Sequence, residues 1–158
     1  MDLILVRHAK AVARAEWTGD DLERPLTRKG RREFLQFFRS VCERLPTPDC
    51  IVASKAVRAQ KTAELCAAAF GKKRVLTDEA LNPGCTPAKF RTVLRRHRHS
   101  GALLVVGHEP DLSGILEGMT GAESGTFRLP KGAVAQLESG KRNLRLRLLI
   151  APEPHDRA

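Results

Sequence analysis

Two short apolar runs, a hundred residues apart, each end in a histidine. Leu3-Ile4-Leu5-Val6 leads into Arg7-His8-Ala9, and Leu103-Leu104-Val105-Val106 leads into Gly107-His108-Glu109-Pro110. Runs that are apolar at every position, rather than at alternate ones, read as strands buried on both faces. A guanidinium and an imidazole are costly in such an interior. The strands must therefore deliver Arg7, His8 and His108 at their carboxyl ends, where open α/β sheets keep their ligand sites. A fold that buries both strands and still exposes their ends is an α/β layer structure.

The rest of the chain is consistent with that. Lys10 to Arg24 is irregular and charged, with Trp17 read as a local plug. Pro25-Leu26-Thr27 opens a helix with Thr27 as N-cap, and Phe34, Phe38, Val41 and Leu45 recur on one face until Pro46 and Pro48 end it. Gly30, in the first turn, suggests close packing. Cys50 to Ala53 reads as a second strand, with Ser54 as cap of a helix from Lys55 to Phe70 and Gly71 as its C′ residue. Arg74 to Leu76 reads as a third strand, and Thr86-Pro87 begins a helix to about His97. After the strand at Ala102 to Val106, Leu112, Ile115, Leu116 and Met119 mark another helix. Ala133 to Glu138, a turn at Ser139-Gly140-Lys141 and the alternation Leu144 to Leu148 predict an antiparallel hairpin. The expected architecture is one three-layer α/β/α domain over residues 1–151. Its sheet is mixed and mostly parallel, with a C-terminal antiparallel hairpin, and a frayed tail follows over 152–158.

Composition narrows the function. The net charge of +10 invites a nucleic-acid reading, but the basic residues are scattered, aromatics are only 4% and tyrosine is absent, so a base-stacking platform is hard to build. The charge is read as attraction for anionic substrates. No apolar run approaches the roughly 18 residues of a membrane span, and Asp2 stands where a signal peptide has its basic region. A cytoplasmic protein without membrane association is expected. The irregularly spaced Cys42, Cys50, Cys66 and Cys85 fit reduced thiols. His97, His99 and His155 sit in a solvated basic run or the tail and are read as inert.

A lone histidine after a strand is more often structural than catalytic, so the accompanying residues matter. Arg7 adjoins His8, and Arg58 lies near the start of the helix after the second strand, where free N–H groups also favour an anion. Guanidinium forks match phosphate oxygens, whereas they would repel a metal ion. Two arginines and two histidines at one sheet rim describe a pocket for a phosphoryl group, and a phosphate or sulfate ion is expected to bind there.

These segments resemble the histidine phosphatase superfamily. Leu5-Val6-Arg7-His8-Ala9 looks like its Arg-His-Gly signature, with Ala9 for glycine; Ser54-Lys55-Ala56-Val57-Arg58-Ala59-Gln60-Lys61-Thr62-Ala63 is similar to its S-x-x-x-R-A-x-Q-T-A segment; and Gly107-His108-Glu109-Pro110 is similar to its second-histidine segment. Arg24-Pro25-Leu26-Thr27 with Gly30 resembles the compact SixA-like branch. The resemblance implies a phosphoglycerate mutase-like fold and a metal-independent phosphatase that needs no cofactor. It implies His8 as nucleophile, with Arg7, Arg58 and His108 holding the phosphoryl group. Arg24, Ser54 and Glu109 are further candidates for substrate contact.

The chain departs from the family at the general acid. Asp78-Glu79-Ala80-Leu81 matches the lead-in, but Asn82-Pro83 stand where the carboxylate should follow. An alkoxide leaving group needs a proton in the transition state, and imidazole leaves far more readily. The expected function is therefore hydrolysis of phosphohistidine on a phosphorelay or phosphotransfer protein. One alternative is a small-molecule phosphomonoesterase that recruits Glu109, Asp111, Asp20 or Asp21 as acid. The other is a non-catalytic basic module that binds RNA or an acidic partner.

Overall fold

The computed structural model describes residues 1–72 and 74–153. Six strands form a single sheet in the order β3-β2-β4-β1-β5-β6, where β1 is Asp2–Arg7, β2 Cys50–Ala53, β3 Leu76–Thr77, β4 Ala102–Gly107, β5 Val134–Ser139 and β6 Leu144–Ile150. The first four run parallel to one another; β5 lies antiparallel to β1, and β6 antiparallel to β5. The mixed sheet with its terminal hairpin is the architecture expected from the sequence.

Alternation along the strands divides the core into two layers. Ile4, Val6, Ile51, Ala53, Leu104 and Val106 face α1 (Arg28–Val41) and α2 (Val57–Ala69). Leu3, Leu5, Val52, Leu103 and Val105 face α3 (Pro87–Arg96) and α4 (Asp111–Thr120). With both faces covered, β1 and β4 have no polar side chain to spare before their ends. Among the described residues, no helix is long and apolar enough to cross a membrane.

The helix starts that matter for the site follow local chemistry. Thr27 caps α1 by accepting the Gly30 N–H at 2.9 Å, and its own N–H donates to the Lys10 carbonyl at 3.0 Å. A Cβ on Gly30 would lie 2.3 Å from that same carbonyl oxygen. Gly30→Ala is therefore expected to cost about 1–3 kcal/mol by overpacking, read as a lower urea midpoint at unchanged slope. Thr86 caps α3 by accepting from Lys89, with Pro87 in the first turn, as expected.

Three boundaries differ from expectation, the first being α1, which ends at Val41 and continues only as a 3-10 turn to Arg44, short of Leu45. The third strand is Leu76–Thr77 rather than Arg74 to Leu76, because only Leu76 and Thr77 find partners, on Val52 and Ala53. The second helix starts at Val57 rather than Lys55. Ser54 Oγ does accept the Ala56 N–H, but Ala56 itself is extended and acts as the cap residue. Of the tail expected over 152–158, residues 154–158, with His155, lie outside the described residues, whereas Pro152 sits against Gly132. All four cysteines are free. Burial raises the Cys50 and Cys66 thiols and pushes Cys85 up to about 11, which keeps them protonated.

Candidate active site

The carboxyl ends of β1, β2 and β4 meet at one rim, and the structure brings His8, Arg7, Arg58, His108 and Ser54 to it. His8 is the most heavily fixed. Its N–H donates to the Gly107 carbonyl at 3.1 Å, and its carbonyl accepts from Gly132 at 3.1 Å. The next residue, Ala9, donates its N–H to Thr62 Oγ1 at 3.0 Å, and that hydroxyl donates to the Arg58 carbonyl at 2.8 Å. Ala59 and Ala63 have no bulk to keep α2 off the sheet, so Thr62 can reach this far.

The imidazole of His8 is 6% exposed. Its Nδ1 lies 2.7 Å from the Ala9 carbonyl. A carbonyl only accepts, so Nδ1 carries the proton and Nε2 holds the lone pair. Burial pushes the His8 pKa down to about 3, and His108, Arg58 and Arg7 add to the depression against the opposing bond to Ala9. The ring is neutral near pH 7, as a nitrogen nucleophile must be.

His108 stands beside it, with ring centroids 5.2 Å apart at 54°. Its Nε2 is 2.8 Å from Ser54 Oγ, and its Nδ1 is buried without a partner among the described residues. Burial, with Arg58 next in weight, also pushes its pKa down to about 3. Ser54 is fully buried between His108 and the Ala56 N–H. It orients a histidine and does not lie open to substrate.

The arginines are fixed from outside the rim. Arg7 donates through one terminal nitrogen to the Leu129 carbonyl at 2.8 Å. Leu129 in turn donates its N–H to Glu109 Oε2 at 2.9 Å. Glu109 also accepts the Ser113 N–H at 2.9 Å and the Ser113 hydroxyl at 2.5 Å. The carboxylate expected to touch substrate is thus committed to the start of α4 and, through Leu129, to Arg7. Arg58 is 2% exposed and is held by Asp21, as is Arg24, which also donates to the Val12 carbonyl at 2.8 Å. The Nε atoms of Arg7 and Arg58 are buried and unpartnered among the described residues.

Those orphaned nitrogens are the main chemical feature of the rim. Buried polar groups are normally satisfied, and these belong to cations or to a ring beside the neutral His8 imidazole. The arrangement can take an anion and present a lone pair to it. Among the described residues, no group of three or more histidine, cysteine or carboxylate side chains is placed to hold a metal ion. Sequence reasoning missed three contributors: Thr62 and Leu129 as fixing groups, and Asn82, which accepts the Lys55 N–H at 2.8 Å where the family's acid was sought. Only Thr62 carried a signal, inside the Arg58 segment.

Comparison with known proteins agrees with this geometry. Residues 3–83 match the profile of the histidine phosphatase superfamily (branch 1). An uncharacterized protein of Picosynechococcus sp. strain PCC 7002 is 31% identical over 147 residues, covering 89% of this chain and 86% of its own. Among solved structures, the protein histidine phosphatase SixA complexed with tungstate shares the fold at a TM-score of 0.84 and 18% identity, over 96% of this chain and 97% of its own. The α-ribazole phosphatase from Shigella flexneri does so at 0.77 and 18%, over 96% and 97%. On the strength of the matched segment, which carries both Arg7-His8 and Arg58, the chain belongs to the histidine phosphatase superfamily (branch 1).

Proposed function

We propose that this phosphatase hydrolyses phosphohistidine on a protein partner, through a phospho-His8 intermediate. The observation that carries the catalytic part is the state of His8: neutral, tautomer-locked by Ala9, with Nε2 free beside unpartnered cationic nitrogens. Nε2 attacks phosphorus as the bond from phosphorus to the substrate imidazole breaks, and the departing imidazole takes a proton from solvent. Water then attacks phospho-His8, giving inorganic phosphate and neutral His8. Arg7 and Arg58 stabilise the equatorial oxygens throughout, where phosphoryl transfer gains most of its acceleration. With Ser54 donating its hydroxyl to His108 Nε2, the His108 Nδ1–H joins them. In this scheme the positive charge comes from the chain itself, without a metal ion.

The carboxylates support imidazole as the leaving group. Glu109 is committed to Ser113 and Leu129, and Asp111 accepts the N–H groups of Gly84 and Cys85 at 2.8 and 3.1 Å. Asp20 accepts from Leu22, and Asp21 is bound to arginines. Burial alone would raise the Asp21 carboxyl, but Arg24 and Arg58 outweigh it and hold the group below its ordinary value, the wrong direction for an acid. All four candidates considered for the acid are thus spent, which favours N–P over O–P cleavage. The shared fold of an α-ribazole phosphatase supports the phosphomonoesterase as second reading.

Quenched-flow hydrolysis of a phosphohistidine protein and a phosphoserine peptide separates them. A preference of about 10²-fold or more for phosphohistidine is expected, the scale of a missing general acid. Comparable rates would establish the monoesterase. No turnover on either, together with salt-dependent RNA binding, would establish the binding module.

A further inference from the structure

Arg58 is tied down by a residue 37 positions earlier in the chain. One terminal nitrogen donates to the main-chain carbonyl of Asp21 at 2.7 Å, and the other to Asp21 Oδ2 at 2.9 Å. The remaining carboxylate oxygen accepts Arg24 Nε at 3.0 Å, and Arg14 Nε lies 3.6 Å from it. One acidic residue therefore spans the guanidinium groups of Arg58 and Arg24, using backbone as well as side chain.

The backbone half of this grip is itself fixed. Asp21 opens a single 3-10 turn, Asp21–Glu23, whose cap is Asp20: Oδ1 of Asp20 accepts the Leu22 N–H at 3.0 Å. The Arg24 N–H returns to the Asp21 carbonyl at 3.1 Å. Trp17 Nε1 donates to the Asp20 carbonyl at 2.8 Å, and Arg24 closes the strap onto Val12. A bare carboxylate counter-ion could let Arg58 pivot. Two acceptors of one residue, set apart and both anchored, fix the guanidinium plane.

The donor count says what the grip leaves over. A guanidinium has five N–H groups. Asp21 takes two from Arg58, and Nε is buried without a partner among the described residues. At 2% exposure the remainder see little bulk water, and an anion seated at the rim would take them up.

We propose that Asp21 is the positioning residue of this site: by gripping Arg58 and Arg24 together, it aims the unspent N–H groups of Arg58 at the transferring phosphoryl group. The proposal rests on the phosphoryl-transfer reading above, but not on which leaving group departs. Asp21 also lets Arg58 and Arg24 stand close without mutual repulsion, while Arg7 keeps the rim net positive. Its cost is one negative charge near an anionic substrate. The opposite role, a built-in competitor that phosphate must displace, makes the contrary prediction.

The test uses the full chain and two readouts: tungstate affinity by calorimetry, and kcat and KM on phosphoramidate. The variants are Asp21→Asn, Arg58→Gln, the double variant, and Glu23→Gln, which removes a charge from the same turn at an exposed side chain. Arg58→Gln is expected to lower kcat by about 10²–10³-fold. Asp21→Asn should lower kcat by about 10–100-fold with KM changed less than about threefold, and weaken tungstate to a similar degree. In the Arg58→Gln background it should cost less than about twofold more, because the guanidinium that Asp21 is proposed to aim is gone. Glu23→Gln should leave both readouts within about twofold. Tungstate binding that is unchanged or tighter in Asp21→Asn overturns the role in favour of the competitor. Losses that multiply in the double variant, or an equal loss from Glu23→Gln, overturn it in favour of strap folding or of a general loss of negative charge. Failure of the wild type to bind tungstate overturns the phosphoryl site and this role with it. Failure on phosphohistidine alone touches only the substrate assignment.

Discussion

Replacing His8 with alanine is expected to abolish turnover, by about 10⁴-fold or more, because in the proposed mechanism it removes the atom that takes the phosphoryl group and not an accessory to it. The fold should survive. The backbone bonds of His8 to Gly107 and Gly132 do not involve the side chain, and the lost ring bond is to the adjacent Ala9 carbonyl. The check is a rapid quench with ³²P-labelled substrate, followed by gel separation. Wild type should carry an acid-labile, base-stable label that chases into phosphate, and His8→Ala should carry none at matched thermal midpoint. Activity of the variant within about tenfold of wild type would remove His8 from the chemistry. Under that result His108 becomes the residue to test, since it is the only other imidazole at the rim among the described residues.

Acid should destabilise this protein early, and for the same two residues. Burial, reinforced by the arginines, takes His8 and His108 from 6.5 to about 3. In the unfolded chain they titrate near the ordinary value, so between these limits the unfolded state binds more protons than the folded one. Stability from this source is complete above about pH 6.5 and is lost progressively as pH falls toward 3. Each unit of depression is worth about 1.4 kcal/mol, so a single imidazole carries on the order of 5 kcal/mol over the window. Urea midpoints between pH 7 and 4 should fall steeply in wild type. His8→Asn and His108→Gln should each flatten that slope, even where they lower the midpoint at pH 7. An unchanged slope in both variants would mean that neither ring stays neutral in the folded state.

What could be read from the residues, and what could not, follows from the range of each interaction. β1 and β4 were legible because burial on both faces leaves an unbroken apolar run, and the polar residues that end it must be at the rim. The Thr27 and Thr86 caps were legible because a cap and its N–H are three residues apart. β3 was placed two residues early, since a strand of two residues on the sheet edge has no period to detect. Arg7, His8, Arg58 and His108 were expected together, and they stand together. The roles sketched for Glu109 and Ser54 at the substrate give way to Ser113, Leu129 and His108, contacts whose chemistry is ordinary but whose partners lie up to 54 residues away. Asp21 is the sharpest case. In sequence it is one more acid in a charged loop, and only the arrival of Arg58 makes it a clamp.

The strand order bears on the moment at which such an enzyme comes into being during synthesis. β1 is made first, yet its two neighbours in the sheet are β4 and β5, which begin at Ala102 and Val134. As the ribosome proceeds, His8 emerges long before the segments that hold its backbone, and long loops must close before those contacts are made. Gly107 and Gly132, which bind the backbone of His8, come from these same late segments. A nascent or truncated chain that carries the whole Arg7-His8 to Arg58 segment would still have an untethered histidine in water. The proposed site is therefore complete only once the chain has been made through β5, and fragments that end before Gly132 are expected to be inert.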